Sequence, residues 1–306
     1  MRENSSRRKF SKSLLQWYAH RGRILPWRNI TDPYRILVSE IMLQQTQVSR
    51  VLVKYGEFLR RFPTLRSLAR ARQRDVVIAW RGMGYNNRAV RLHKFAQTVV
   101  ADHKGKIPAD AEVLMSLPGI GRYTAHAMLA SAFSKDVPVV DVNVRRVLSR
   151  MFWKMVRMTD VAAEEEVWSK AQTLLPKGKA YAFNQALMDL GSTICTARRP
   201  VCEVCPVAES CASGPTLSHA GVPLRKRIHP RNRLPDRIYR GRIVEVLRSK
   251  NGAGSLTVAF LKKRVAGSAG RSSLAWFASL LSGLEKDGLI RVRGTGAAAH
   301  RRVSLA

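Results

Sequence analysis

Four cysteines, Cys195, Cys202, Cys205 and Cys211, fall within seventeen residues in the spacing C-x6-C-x2-C-x5-C, and the chain has no other cysteine. Four soft thiolates gathered by such short loops make a ligand set for one iron–sulfur cluster or one zinc ion. Residues 1–20 carry basic side chains but no apolar core followed by a small-residue cleavage site, so no secretion signal is expected. Without one, the cysteines read as metal ligands rather than disulfides.

The charge of the chain narrows its partners. Lys and Arg total 54 against 21 Asp and Glu, a formal net charge of +33 over 306 residues. Such an excess implies a polyanionic partner, with nucleic acid first and an anionic membrane second. No apolar run approaches the roughly 18–20 residues that span a bilayer, so no membrane partner is expected. The expected location is the cytoplasm, in association with the nucleoid. The length suits two domains or three.

Most of residues 10–190 reads helical. Apolar positions recur at three- and four-residue steps in 10–18, 34–43, 48–58, 75–80, 88–100, 123–133 and 142–151. No alternating strand pattern appears there. The segment 213–235 is rich in glycine and proline and carries Arg225, Lys226, Arg227, Arg231 and Arg233, so it reads as a basic linker. Beyond it come an amphipathic stretch at 237–248, a short element at 256–263 that suits a helix or a strand, a helix at 273–287 and two short strands at 289–293 and 301–305. That order is the order of a winged helix-turn-helix, or of a generic small α+β domain.

The run Leu117-Pro118-Gly119-Ile120-Gly121 precedes a helix opening at Arg122-Tyr123. Gly119 and Gly121 bracket one apolar residue, which allows a tight turn anchored by Ile120. Peptide N–H groups are then left free at a helix N-terminus, ready for a phosphate. An ordinary helix-connecting turn has the same local pattern. The neighbouring helix at 111–116 and the charge excess favour a helix-hairpin-helix that grips the DNA backbone without reading sequence.

Several further stretches complete a resemblance to the endonuclease III superfamily of DNA glycosylases, and within it to the MutY-type adenine DNA glycosylases. They are Leu25-Pro26-Trp27-Arg28, the run Ser39 through Gln47, Gly82-Met83-Gly84-Tyr85, Val140-Asp141-Val142-Asn143 and the run Phe183 through Gly191. The likeness covers about residues 10–212. It implies an all-α, two-lobed helix-hairpin-helix glycosylase with an iron–sulfur cluster loop, followed by a small C-terminal winged-helix-like α+β domain. The expected divisions are 1–29 with 137–212 for the cluster lobe, 30–136 for the six-helix lobe, 213–235 for the linker and 236–306 for the last domain. The resemblance turns the cysteines into the ligands of a [4Fe–4S] cluster.

Cleaving an N-glycosidic bond needs a proton for the departing base and a negative charge beside a sugar that gains oxocarbenium character. Two carboxyl groups of separated proton affinity meet both needs. Read alone, Glu40 is a solvated helix glutamate and Asp141 a helix N-cap. Glu40 has apolar helix neighbours at 36, 37 and 43, a setting that raises a carboxyl pKa. Asp141 precedes a helix whose dipole keeps it charged. The resemblance makes Glu40 the donor to adenine N7 and later the activator of water. It makes Asp141, assisted by Asn143, the stabiliser of C1′.

Bifunctional relatives carry a lysine where this chain has Tyr123, which forms no imine with the sugar. Hydrolysis without strand cutting is therefore expected, with Tyr123 either packing or orienting groups at the site. Tyr85, on the turn after Gly82 and Gly84, suits a wedge that fills the duplex when the base leaves. Gln44 and Gln45 carry amides able to bond base edges, and by resemblance Arg23, Leu25, Trp27 and Arg28 help shape the adenine pocket, with a core role the alternative for Leu25 and Trp27. The chain departs from the family pattern at Asn86 and His126. Its C-terminal stretch is too short for the Nudix-like domain that reads 8-oxoguanine in typical relatives, and Leu217-Ser218-His219 resembles that domain's turn only by chance.

The expected reaction is removal of adenine mispaired with guanine or 8-oxoguanine by a monomer. The rivals are a glycosylase for thymine, uracil or hypoxanthine mispairs, a strand-cutting lyase, and a noncatalytic winged-helix DNA-binding regulator.

Overall fold

A computed structural model describes residues 2–155, 162–214, 216–217, 234–249, 254–266 and 273–306. Most of the basic linker, with Ser218 and His219, lies outside the described residues. No helix among the described residues is long and apolar enough to cross a membrane.

Eleven α-helices occupy the described residues up to 189: α1 (Arg2–Arg21), α2 (Pro33–Leu43), α3 (Val48–Arg61), α4 (Leu65–Arg70), α5 (Gln73–Ala79), α6 (Asn87–Asp102), α7 (Ala111–Ser116), α8 (Arg122–Ala132), α9 (Val142–Trp153), α10 (Glu164–Leu174) and α11 (Ala180–Asp189). The seven periodic stretches fall on α1, α2, α3, α5, α6, α8 and α9. Helix α7 is the one expected before the hairpin, and α4, α10 and α11 lie outside every expected stretch. Helix α4 has a reciprocal capping box, Thr64 accepting from Ser67 N and Ser67 Oγ from Thr64 N. Helix α10 opens on Glu164, Glu165 and Glu166, acids at the positive end of its dipole.

The C-terminal segment has the winged-helix order: α12 (Asp236–Arg248), β1 (Leu256–Thr257), α13 (Val258–Ala266), α14 (Leu274–Lys286), β2 (Ile290–Arg293) and β3 (Arg302–Leu305). The ambiguous element at 256–263 is both things, two strand residues running into a helix. The sheet has order β1-β3-β2, all antiparallel, with Val303 opposite Leu256 on one side and Val292 on the other.

The described residues cluster into two compact units. The first is drawn from Met1–Ile36, Ala109–Met115 and Ile120–Ile228, the second from Leu37–Pro108, Ser116–Gly119 and His229–Ala306. The first has a core of Phe10, Leu14, Val144, Leu148, Trp168, Phe183 and Leu187, joined at its edge by Cys195, Cys205 and Cys211. Burying each such large apolar side chain is worth about 1.5–3 kcal/mol. In the second, Val77 and Val90 of α5 and α6 share one core with Ile243, Leu247, Leu261 and Phe277 of the C-terminal segment. The C-terminal elements are therefore packed on the helices of 37–108.

Candidate active site and cluster loop

In the first unit the segment leading to Asp141 is tethered twice. Asn184 of α11 accepts from Val139 N (3.0 Å) and donates to Val137 O (2.9 Å). The His126 ring meets Pro138 O through Nδ1 at 2.9 Å, and because that carbonyl only accepts, Nδ1 carries the proton. Burial lowers the pKa of His126, with Arg122 adding to the effect against the pull of the Pro138 carbonyl, so the neutral ring is favoured. The departure from the family pattern at 126 thus has a structural task.

Asp141 then caps α9. Its Oδ1 accepts from Asn143 N (2.9 Å) and Val144 N (2.7 Å), and its Oδ2 accepts from Asn143 Nδ2 (2.7 Å). Three donors and the helix N-terminus thus hold the Asp141 side chain in one orientation. The N-cap reading of Asp141 is the one this geometry displays. Asn143 Oδ1 in turn accepts from Arg146 Nη2 (3.0 Å), and Arg146 also donates to Gly191 O (2.5 Å) and Cys195 O (3.0 Å). Gly191 lies in a π-helical turn, Leu190–Ile194. A Cβ there would stand 2.8 Å from Asn143 Cβ, so only glycine permits this approach.

The cysteine loop is pinned by buried Arg150, whose guanidinium donates to Thr196 O (2.8 Å), Ala197 O (3.1 Å) and Cys195 Sγ (3.4 Å). The end of the loop returns to α9 through Ala212 N to Met151 O (3.0 Å) and Ser213 N to Arg150 O (3.1 Å). Burial, with a smaller contribution from the neighbouring Cys195, Cys211 and Cys202 and against a backbone hydrogen bond at Val207, pushes the Cys205 thiol up to about 12. Cys211 is raised for the same leading reason. Thiols this reluctant to ionise ligate only when a cationic centre displaces their protons. Among the described residues no three His, Cys, Asp or Glu side chains converge tightly enough for one metal ion. The four cysteines are free thiols at half-buried positions, the donor type that an iron–sulfur cluster takes. Arg198 and Arg199 are exposed on this pinned loop.

The loop after α1 is braced by Asp189, 0% exposed. Its carboxylate accepts from Arg23 N (2.9 Å), Arg23 Nε (2.6 Å), Arg28 Nη1 (2.8 Å) and Arg28 Nη2 (2.7 Å). Burial works to raise its pKa, yet hydrogen bonds from Arg28 and Arg23 hold it below the ordinary value. The two arginines expected at the adenine pocket are therefore committed to a carboxylate. Trp27 is buried, Leu25 half-buried, and Tyr123 packs half-buried against the core. Asp189 lies in the run Phe183 through Gly191, but nothing in that run marks it as a brace for a loop so far away in sequence.

In the second unit Glu40 is 8% exposed on α2, where Leu37 is also buried. A solvated surface glutamate is thereby excluded. Buried Arg88 holds the region after it. Its Nη1 donates to Ile41 O (2.7 Å), Met42 O (3.0 Å) and Gln44 O (2.6 Å), and its Nη2 to Thr46 Oγ1 (3.0 Å), Met83 O (3.0 Å) and Gly84 O (3.1 Å). One guanidinium thus closes the end of the Glu40 helix and fixes the loop of Tyr85. Burial lowers its pKa to about 10. Tyr85 is 49% exposed at φ 42, a left-handed conformation rarely held by a non-glycine residue. Gln45 is exposed and Gln44 half-buried.

At the hairpin Gly119 has φ +82, and a Cβ there would meet Arg91 Cβ at 2.9 Å. Gly121 differs from expectation. It is extended at φ −103 with open space around it, so the turn does not demand glycine there. It is the N-cap of α8 and offers no side-chain cap, which leaves the first N–H groups for an anion. Ile120 is buried, as its anchoring role requires.

Glu40 and Asp141 belong to different compact units. Asp141 and Asn143 are joined directly, Arg23 and Arg28 through Asp189, and Gln44 and the Tyr85 loop through Arg88.

Comparison with known proteins gives a family. Residues 38–173 match the model of the HhH-GPD superfamily base excision DNA repair protein, and 195–211 match the iron-sulfur binding domain of endonuclease III. An adenine DNA glycosylase of Mycobacterium tuberculosis is 43% identical over 244 residues, covering 78% of each chain. A solved thermostable thymine-DNA glycosylase is 30% identical, with TM-score 0.66 over 71% of this chain and all 100% of that one. A trapped endonuclease III–DNA covalent intermediate, 22% identical, shares the fold with TM-score 0.60 over 69% of this chain and 96% of its own.

Proposed function

This chain belongs to the adenine DNA glycosylases of the HhH-GPD superfamily, and from that premise we infer that it removes adenine mispaired with guanine or 8-oxoguanine in duplex DNA. It carries a [4Fe–4S] cluster on its four cysteines, which organises the loop of Arg198 and Arg199 against the DNA backbone and takes no part in bond breaking.

The observation that carries the chemistry is the burial of Glu40 on an apolar helix. Burial favours the proton-bearing form of a carboxyl group. Glu40 delivers that proton to adenine N7 as the bond from C1′ to N9 breaks. The base leaves with both bonding electrons as neutral adenine. The Asp141 side chain, held in place by its three donors, offsets the positive charge on the sugar. Glu40, now a carboxylate, takes a proton from water as the water oxygen bonds C1′, which returns the enzyme to its starting state. Tyr123 offers no amine, so an abasic site in an unbroken strand is the product. Tyr85 fills the emptied stack, Gln44 and Gln45 meet base edges, and the Gly119–Gly121 hairpin holds backbone phosphate. The protein acts as a monomer in the nucleoid.

A panel of duplexes carrying one mismatch each, followed by alkali cleavage, tests this reading. Base release is expected from adenine opposite guanine and 8-oxoguanine. The likeness to a thymine-DNA glycosylase gives the panel its chief competitor, thymine opposite guanine. Release of thymine but not adenine would overturn the assignment.

A further inference from the structure

We propose that the trough between the Tyr85 loop and α12 is a further DNA-binding site, taking backbone phosphates of the duplex beside the excised base. It rests on the glycosylase reading above. Both walls lie in the second compact unit. Arg248, 5% exposed, donates from Nε and Nη2 to Val77 O (2.9 and 2.6 Å) and from Nη2 to Asn86 Oδ1 (2.8 Å). Asn86 directly follows the wedge. Arg81 pairs with Glu245 at 2.6 Å, and Gln73 Nε2 donates to Gly288 O at 2.5 Å. The C-terminal domain is thus latched beside the wedge loop.

The trough between them is a cavity of about 570 Å³, with Gln45, Arg50, Tyr85, Arg237 and Arg242 along it. Arg50, Arg237 and Arg242 are exposed, and none has an acidic partner among the described residues. Arg240 is spent on Asp287 and Arg248 on the latch. Three uncompensated guanidiniums around an open trough call for a polyanion. In a helix-turn-helix the second helix of the motif enters the major groove. Here that helix is α14, and it carries one basic residue, Lys286, in its last turn. Helix α12 carries Arg237, Arg240, Arg242 and Arg248. The domain is therefore turned toward phosphates next to the wedge rather than toward base edges.

The test uses the full, cluster-loaded chain and a duplex holding a non-hydrolysable adenine analogue opposite guanine. Wild type and the double variant R237Q/R242Q are titrated at several salt concentrations. The variant is expected to bind at least tenfold more weakly, with the slope of log K against log salt reduced by about 1.8, about 0.9 for each phosphate no longer neutralised. R50Q, on the opposite wall, is expected to reduce the slope by about 0.9. Replacing phosphates near the mismatch with neutral methylphosphonates should weaken wild type and leave R237Q/R242Q little changed. Circular dichroism and the visible absorption of the cluster report folding, and should the double variant misfold, R50Q and the methylphosphonates decide. Unchanged slopes in properly folded variants, or equal sensitivity to methylphosphonates in wild type and variant, would overturn the proposal. Binding is read without base release, so a chain that binds as described but frees no adenine sinks the glycosylase reading alone.

Discussion

The two compact units hold their reactive loops with opposite chemistry. In the first, one buried carboxylate, Asp189, gathers Arg23 and Arg28 and fixes the loop after α1. In the second, one buried guanidinium, Arg88, gathers backbone carbonyls from the end of α2 and from the Tyr85 loop. The carboxylate hub is balanced by formal positive charges, and its pKa falls below the ordinary value despite burial. The guanidinium hub is balanced only by dipoles, and its pKa falls to about 10. Removing one partner of a buried ion pair leaves an uncompensated charge, a larger loss than carbonyls left unmet. The first hub should therefore be the more brittle.

Asp189→Asn carries the largest expected effect. It strands two arginines, one of them buried, and should cost about 3–5 kcal/mol in urea unfolding. The pH dependence has a definite sign. A carboxylate whose folded pKa lies below its unfolded one stabilises fully above the unfolded value, about 3.9. That contribution is lost as pH falls from there through the folded value. Wild type should lose stability across this acid window more steeply than Asp189→Asn does.

Arg88→Lys comes next. Lysine keeps the charge but offers three donors in place of a planar fork of five. Carbonyls left without a partner should cost about 1–3 kcal/mol, with weakened binding of mismatched duplex as the Tyr85 loop loosens. A larger loss for Arg88→Lys than for Asp189→Asn would break the comparison of hubs.

The smallest effects lie at the hairpin and sharpen a local contrast. Gly119→Ala forces a left-handed conformation on a Cβ residue and presses it on Arg91, costing about 1–2 kcal/mol from handedness alone. Gly121→Ala meets open space and should cost less than about 1 kcal/mol, as an N-cap change does. Thermal unfolding of the two variants should rank them in that order.

The amphipathic helices and the four cysteines were legible because period and spacing are local properties of sequence. The hubs were not. Arg23 and Arg28 meet Asp189 across more than 160 positions, and nothing in a single chain marks such a pairing. Apart from the Thr46 hydroxyl, Arg88 meets main-chain oxygens, which every residue has, so those partners leave no trace in side-chain identity. Arg248 likewise meets a main-chain oxygen at Val77, and it reaches the Asn86 side chain across 162 positions. Val77 and Val90 read as ordinary helix core, although their partners lie in the C-terminal domain. Asn86 and His126 stand out as departures from the family pattern, and each is a hydrogen-bonding partner of a distant backbone or side-chain group.

Glu40→Gln tests the proposed proton donor most directly. Single-turnover release of adenine, with enzyme in excess over a duplex carrying adenine opposite 8-oxoguanine, is the measurement. Loss of a general acid should slow the step by about 10²–10⁴-fold while duplex binding is retained. Release at the wild-type rate would contradict the account.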